Sequence, residues 1–181
     1  MKKIIIGNSG SGKSYLANLM SHELSIPAIH LDELFWEPGG FNEKRPKDLV
    51  FNEIEELSKK DTWIVEGVFG ELASRFASDA DEMIWLDLDW SECESGLLAR
   101  GSESSKQLDR ESAESNFQQL LHWASEYWSR EDLRSWKGHS RMIEEFEKKK
   151  AILRTRPDVD EYIRQFLSEP VASSYVANAP R

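Results

Sequence analysis

The sequence has a single cysteine and no long apolar run, and each scarcity excludes a class of protein. With only Cys93 among 181 residues, neither a disulfide framework nor a cysteine-based zinc cluster can form. The apolar run near the N-terminus is too short for a signal peptide, and no later stretch approaches the length that spans a bilayer. We therefore expect a cytoplasmic protein with no membrane partner, in which Cys93 is a buried, inert thiol.

Basic residues are also scarce, with 23 Lys and Arg against 33 Asp and Glu and a formal net charge of −10. Binding to a nucleic acid backbone needs a basic face, so we do not expect DNA or RNA as a partner. A local pocket for a triphosphate is still compatible with this charge, because a few arginines and oriented amides suffice. The length fits one α/β domain that buries a core of its own.

The most informative segment is the glycine-rich run at 7–14, which fits the Walker A pattern G-x-x-x-x-G-K-[ST]. An apolar run typical of a buried strand precedes it, and helical spacing of apolar residues follows it. The glycines allow backbone N–H groups to approach a polyphosphate at the positive end of a helix dipole. Lys13 is predicted to reach the β- and γ-phosphates, and the Ser14 hydroxyl to join a Mg²⁺ shell. The predicted nucleotide site comprises Gly7, Asn8, Ser9, Gly10, Ser11, Gly12, Lys13 and Ser14.

Strands and helices are predicted to alternate along the chain, which favours a parallel sheet covered on both faces. After the first strand at 3–6, strands are predicted at 28–31, 62–65, 83–86 and 151–153, and the segment 33–47 as a loop. Helices are predicted at 14–24, 49–57, 70–77, 91–100, 117–128, 140–150 and 155–167. Ligands of such sheets bind at the carboxyl ends of the strands, where Asp32, Glu66 and Asp87 are expected.

Two segments lack an apolar pattern. Residues 101–116 are rich in serine and charge, so we expect a mobile lid there. Residues 168–181 are expected to form a loose tail, which leaves 1–167 as a single domain.

The ordered motifs resemble adenylate-kinase-like P-loop kinases, and more closely the small bacterial proteins labelled topology modulation proteins. The matching pieces are the P-loop, 29–32, 63–67, 84–87 and 153–156. The resemblance implies the strand order 2-3-1-4-5, a lid after the helix that follows the fourth strand, and phosphoryl transfer from ATP. The chain departs from this pattern in having Glu66-Gly67 in place of Asp-Gly, no Phe-Pro-Arg element and few lid arginines. The acceptor therefore stays open.

Phosphoryl transfer depends on positioning and charge neutralisation, for which the sequence offers three candidates besides Lys13 and Ser14. Glu66 is predicted to hold a Mg²⁺-bound water or contact the acceptor, with an exposed loop carboxylate as the alternative. Asp32 could orient or deprotonate an acceptor hydroxyl, or it could be a helix-capping or loop residue. Arg100 is predicted to clamp phosphates from the edge of the lid, or to compensate a helix dipole.

Other side chains have two open interpretations each. Arg156 and Arg154 are predicted beside the nucleotide base, and Arg75, Arg110 and Arg130 either contact phosphates or are surface charges. His30 is expected to face the core or the sheet surface, with a catalytic histidine as the alternative. The aromatic residues Phe35, Trp36 and Phe41 either wall the acceptor pocket or cover the edge of the sheet.

Two functions remain open from the sequence. The first is a kinase that uses Mg²⁺-ATP to phosphorylate a nucleotide or a small hydroxylated metabolite. The second is a nucleotide-dependent regulatory or interaction protein with slow or no phosphoryl transfer. A GTPase switch is not expected, because we find neither Asn-Lys-x-Asp nor Asp-x-x-Gly after a strand.

Overall fold

Five parallel strands form one sheet, in the order β2-β3-β1-β4-β5. This computed structural model describes residues 1–38, 40–102 and 110–168, without the side chains of Arg110 and Glu111. The strands are β1 Lys2–Gly7, β2 Ala28–His30, β3 Trp63–Gly67, β4 Glu82–Leu86 and β5 Lys149–Leu153. The predicted fold class and the predicted strand order are therefore both confirmed.

Helices cover both faces of the sheet. They are α1 Lys13–Leu24, α2 Leu31–Phe35, α3 Lys47–Ser58, α4 Gly70–Ala73, α5 Trp90–Arg100, α6 Arg110–Ser125, α7 Trp136–Glu145 and α8 Arg156–Ser168. Short 3₁₀ turns follow α4 at Ser74–Phe76 and α6 at Glu126–Trp128. In the part of the chain that the structure describes, no helix combines the length and the apolar character needed to cross a membrane.

Alternate residues of β1 enter two separate apolar cores, because successive strand side chains point to opposite faces of a sheet. Ile4 and Ile6 join the core beneath α3, α4 and α7, and Ile5 joins the core beneath α1 and α8. All three are fully buried, which contributes roughly 1.5–3 kcal/mol of transfer free energy for each side chain. The central strand is thus anchored from both sides, and it fixes the position of the loop that follows it.

The segment 33–47 differs from its prediction as a loop. It begins within helix α2, whose buried Leu31 and Leu34 are spaced three residues apart, as one face of a helix requires. Two acidic residues in its first turn, Asp32 and Glu33, favour this helix through its dipole. Asp32 therefore lies in a helix and not in a loop at a strand end.

The predicted lid also differs from expectation in part. Helix α6 begins at Arg110, so the last seven residues of the segment 101–116 are helical. Ala113 and Phe117 are buried, and Phe117 packs in a small core with Leu97 of α5. Residues 103–109 of the expected lid and 169–181 of the expected tail lie outside the described residues.

Candidate nucleotide-binding site

The loop from Gly7 to Gly12 joins β1 to α1 and has the backbone form that a phosphate cradle needs. Gly10 and Gly12 have φ values of 80° and 97°, in the left-handed region that favours glycine. A Cβ atom at Gly10 would overlap the backbone carbonyl oxygen of Cys93 in α5. The glycine pattern of the motif is therefore required by both the backbone angles and the closeness of α5.

Neighbouring elements hold this loop in place. The Asn8 side-chain amide donates to the carbonyl oxygen of Ala124 in α6 (2.9 Å). Arg156, at the start of α8, donates to the Ser11 carbonyl oxygen (2.9 Å) and pairs with Glu92 of α5 (2.9 Å). Asn8 and Ser11 are fully buried, so these two residues shape and anchor the loop and do not face the cleft.

Lys13 is the first residue of α1, and its side chain is folded over the loop. Its ammonium group donates to the carbonyl oxygen of Asn8 (2.9 Å), and the residue is buried. Burial lowers the pKa of Lys13 from its ordinary value, and the nearby carboxylates of Glu66 and Asp32 oppose that shift. A phosphate in the cradle would provide further negative charge and so favour the ammonium form.

The carboxylate of Glu66 in β3 contacts both Ser14, the motif residue after Lys13, and a residue of β2. Oε1 of Glu66 accepts the Ser14 hydroxyl (2.9 Å) and contacts Nδ1 of His30 (2.7 Å). Burial acts to raise the pKa of Glu66, but the His30 hydrogen bond, the charge of Lys13 and the Ser14 hydrogen bond together lower it below its ordinary value. Glu66 is thus a buried carboxylate inside a strand, and the alternative of an exposed loop residue is wrong.

These oxygens fit Mg²⁺ better than a transition metal. A hydroxyl and a carboxylate are hard oxygen ligands, and Mg²⁺ at phosphate sites uses one or two such protein groups together with waters and substrate phosphates. Among the described residues there is no group of three or more His, Cys, Asp or Glu side chains able to hold a metal ion alone. A divalent ion at Ser14 and Glu66 would therefore depend on the phosphates of a bound nucleotide.

A cleft of about 810 Å³ opens beside the loop. Gly7, Asn8 and Ser11 of the motif do not line it. The five motif residues that do are Ser9, Gly10, Gly12, Lys13 and Ser14. Four other predicted residues line the same cleft, namely Asp32, Glu66, Arg100 and Arg156. The fold thus brings together the loop, two carboxylates and two arginines that are far apart in the sequence.

Aromatic residues also line the cleft, and the sequence predicted only some of them. Trp36 and Phe41 were candidates and do line it. Phe35 instead lies against Phe69, with ring centroids 4.4 Å apart, and it belongs to the neighbouring core. Four further aromatic residues of the cleft were missed, namely Tyr15, Phe69, Phe117 and Trp123. The helical spacing of 117–128 was the only signal for Phe117 and Trp123, and it reads equally as a core face.

Arg134 is a cleft residue that the sequence analysis missed altogether. Its guanidinium group stacks on Phe35 and Phe69, 4.6 and 4.4 Å from the ring centroids. Its Nε donates to Oε1 of Glu71 (2.7 Å). No local motif marks this arginine, because its partners come from α2, α4 and the loop before α4.

Several other predicted arginines lie elsewhere. Arg75 stacks on Phe51 and does not line the cleft, so a contact with an acceptor phosphate is not supported. Arg130 stacks on Trp123, and Arg154 pairs with Asp87 (3.5 Å). The side chain of Arg110 lies outside the described residues.

His30 and Cys93 complete the set of predicted residues. His30 is half-buried at the end of β2, where its ring contacts the carboxylate of Glu66, and it does not line the cleft. Cys93 is buried as expected, and burial raises the pKa of its thiol to about 11. A thiol with such a pKa stays protonated near neutral pH and is a poor nucleophile.

No protein-family model matches this chain, and no curated protein matches it in sequence. Similar solved structures include YorR of Bacillus subtilis in complex with phosphorylated GDP, with a TM-score of 0.52 at 15% identity over 92% of this chain and 95% of YorR. A shikimate kinase from Bacteroides thetaiotaomicron has a TM-score of 0.50 at 13% identity, over 91% of this chain and 95% of that one. A gluconokinase from Sinorhizobium meliloti 1021 has a TM-score of 0.50 at 15% identity, over 92% and 89%.

These likenesses establish the fold of P-loop kinases for this chain. Identities of 13–15% do not extend beyond the fold. The narrower resemblance to the topology modulation proteins is not confirmed. Function must therefore be argued from the residues of the cleft.

Proposed function

We propose that this protein is a phosphotransferase, which binds ATP with Mg²⁺ and transfers the γ-phosphoryl group to a small hydroxylated acceptor. The observation that carries the proposal is the meeting of Lys13, the Ser14–Glu66 pair and Asp32 in one cleft beside the P-loop. Transfer needs charge neutralisation and a group that handles the acceptor proton, and this set supplies both. The P-loop kinase fold supports the same chemistry at a general level.

The phosphates of ATP would lie against the loop at the N-terminus of α1, where backbone N–H groups and the helix dipole favour anions. Lys13 would exchange its present contact, the carbonyl oxygen of Asn8, for a phosphate oxygen. Arg156 acts chiefly by holding the Ser11 carbonyl and so the shape of the loop. Arg100, at the C-terminal end of α5 and on the wall of the cleft, is proposed to neutralise phosphate charge.

Ser14 and Glu66 would hold Mg²⁺, Ser14 through its hydroxyl and Glu66 directly or through a water. The ion neutralises charge on the β- and γ-phosphates when it is bound. His30 keeps the Glu66 carboxylate oriented toward Ser14 through the shared oxygen Oε1.

Asp32 is proposed to accept the proton of the acceptor hydroxyl. As the acceptor oxygen forms its bond to the γ-phosphorus, its O–H bond breaks and the proton passes to the carboxylate. The bond between the γ-phosphorus and the bridging oxygen breaks at the same time, and that electron pair leaves with ADP. This role is supported by the position of Asp32 on the wall of the same cleft as Lys13, and by the charge of Asp32, which acts to raise the pKa of Lys13.

The test is ADP formation from Mg²⁺-ATP with pooled nucleosides, nucleoside monophosphates and polyhydroxy acids. We expect one pool to stimulate the rate. Lys13→Ala should lose most of this activity, and Asp32→Asn should lose turnover while it keeps ATP binding. Glu33→Gln is the matched control, because Glu33 is an exposed acid in the same helical turn as Asp32.

Two results would contradict parts of this proposal. If a thermal shift confirms ATP binding but no pool stimulates ADP formation, the phosphotransferase is contradicted and a nucleotide-dependent regulatory protein is favoured. Full turnover in Asp32→Asn would remove Asp32 from the mechanism.

A further inference from the structure

Aromatic rings from two separate segments line the cleft. Trp36 and Phe41 belong to the segment between α2 and α3, and Phe117 and Trp123 belong to α6. Phe41, Trp36 and Trp123 keep part of their surface exposed, with 36% exposure for Phe41. Apolar surface left open inside a concave site is a mark of ligand binding.

The two tryptophans are held in fixed positions. Trp36 packs edge-on against Phe35 and Phe41, with ring centroids 4.8 and 6.4 Å away. The Arg130 guanidinium lies 3.7 Å from the centroid of the Trp123 ring, so a cation covers one side of that indole. Rings that are already fixed lose little conformational freedom when a ligand packs on them.

A hydrogen bond joins the two aromatic segments. The side-chain amide of Asn116 donates to Oδ1 of Asn42 (3.0 Å). Asn42 follows Phe41, and Asn116 precedes Phe117, so the bond connects the segments directly beside a ring on each side. This contact holds the rings of the two segments around a shared space.

Among the described residues of this part of the cleft, Arg134 and Lys44 are each held against an aromatic ring. Arg134 is paired with Glu71 and stacks on two phenylalanine rings. Lys44 lies over the ring of Phe35, 5.7 Å from its centroid. The carboxylates of Asp32 and Glu126 line the same cleft and would repel an acceptor phosphate.

We infer that the acceptor is a neutral alcohol that carries a planar aromatic ring, of which a nucleoside is one example. This inference rests on the proposed phosphotransferase function and narrows its substrate class. A planar ring covers the exposed faces of Trp36 and Trp123 and gains stacking energy on each. An open-chain polyhydroxy acid would leave those faces uncovered and would bury hydroxyls against apolar rings.

The experiment measures equilibrium binding by calorimetry, with the P-loop filled by a non-hydrolysable ATP analogue and Mg²⁺. The ring-bearing alcohols are adenosine, cytidine and pyridoxine, and the comparison ligands are adenosine monophosphate and gluconate. The variants are Trp36→Leu and Trp123→Leu, in which leucine keeps apolar bulk and so protects folding. Trp128→Leu is the matched control, because Trp128 is 37% exposed and does not line the cleft.

We expect at least one ring-bearing alcohol to bind, and each cleft variant to weaken its binding at least about tenfold. Trp128→Leu should leave binding unchanged, and gluconate should not bind. The inference is overturned if no ring-bearing alcohol binds, if the cleft variants bind as well as the parent chain, or if adenosine monophosphate binds tenfold more tightly than adenosine.

The same proteins and ligands are then assayed with ATP in place of the analogue, so that the two claims can fail separately. Binding of a ring-bearing alcohol without ADP formation contradicts the phosphotransferase and leaves the binding site intact. Stimulation by gluconate without binding of a ring-bearing alcohol contradicts the inferred acceptor and leaves the phosphotransferase intact.

Discussion

The ring nitrogen Nδ1 of His30 lies 2.7 Å from Oε1 of Glu66, across two neighbouring strands whose register places these residues side by side. The same oxygen accepts the hydroxyl of Ser14, the residue proposed to contact Mg²⁺. The P-loop is thus linked through one carboxylate to β2, the strand that leads directly into the helix of Asp32.

This contact predicts an unusual titration of His30. The hydrogen bond to Glu66 raises the pKa of His30 above its ordinary value, against the opposing effect of burial. Because the folded-state pKa is the higher one, the pair stabilises the fold fully below about pH 6.5, and this contribution is lost as the pH rises through the folded-state pKa. NMR titration of the imidazole should show the raised pKa, and Glu66→Gln should lower it. An unchanged His30 pKa in Glu66→Gln would contradict the contact.

The buried His139 predicts the opposite dependence on pH. Its Nε2–H donates to the Val68 carbonyl oxygen (3.1 Å), so its Nδ1 accepts the hydroxyl of Tyr127 (2.6 Å), which in turn accepts the indole N–H of Trp85 (3.2 Å). Burial lowers the pKa of His139 to about 3, whereas the unfolded chain binds a proton near pH 6.5. Stability from this group is therefore present above pH 6.5 and falls as the pH falls, by about 2 kcal/mol between pH 7 and pH 5.

Urea unfolding at the two pH values measures this difference, and His139→Gln should flatten it. His22→Gln is the control, because His22 has an 86% exposed side chain. If His139→Gln does not fold, the NMR signals of His139 in the parent chain decide the question. Protonation of its ring between pH 7 and pH 5 would contradict the prediction.

The close contact between Gly96 of α5 and Gly10 predicts that a residue outside the motif controls the P-loop. A Cβ atom at Gly96 would overlap the carbonyl oxygen of Gly10, so Gly96→Ala must push the loop or the helix aside. We expect nucleotide affinity to fall about tenfold or more, since a displaced loop no longer directs its N–H groups at one point. Fluorescent-nucleotide binding measures the change, with exposed Ser95→Ala of the same helix as control. Parent-like affinity in Gly96→Ala would show that this contact does not control the loop.

A buried ion pair lies at the other end of the sheet from the cleft. Breaking this pair is predicted to lower the stability of the fold without a direct effect on the cleft. Lys3 and Glu82 face each other in register on β1 and β4, pair with each other, and are 6% and 2% exposed. Glu82→Ala leaves the Lys3 ammonium buried without this partner, which costs about 3–5 kcal/mol. Chemical denaturation measures the loss. Lys59→Ala, which breaks exposed pairs only, should leave stability nearly unchanged. An equally small loss in Glu82→Ala would contradict the prediction.

Much of the fold follows from local sequence signals. The alternation of apolar strands with helices was enough to predict a parallel sheet covered on both faces. The strand order came from the resemblance to P-loop kinases and not from the residue pattern itself. Helix α2 was missed because it has only five residues, too few for a period to show. For the same reason Asp32 was expected at the end of the second strand, whereas it lies in the first turn of α2.

The cleft was predictable only where a motif marks it. Lys13 and Ser14 belong to the motif, and the structure shows them beside Glu66. Arg134 and Trp123 carry no such mark, since an arginine in a loop and a tryptophan on a helix are ordinary in isolation. Their places in the cleft depend on contacts with distant segments, such as those of Arg134 with Phe35 and Phe69.

The most direct measurement uses ATP that is labelled at its γ-phosphorus. The label is followed in the presence of Mg²⁺ and the acceptor pools. The account predicts that the label appears on an acceptor faster than on inorganic phosphate, and that Lys13→Ala abolishes this transfer while the variant stays folded. Label that remains on ATP, or that appears only as inorganic phosphate with every pool, would contradict the proposed phosphotransferase.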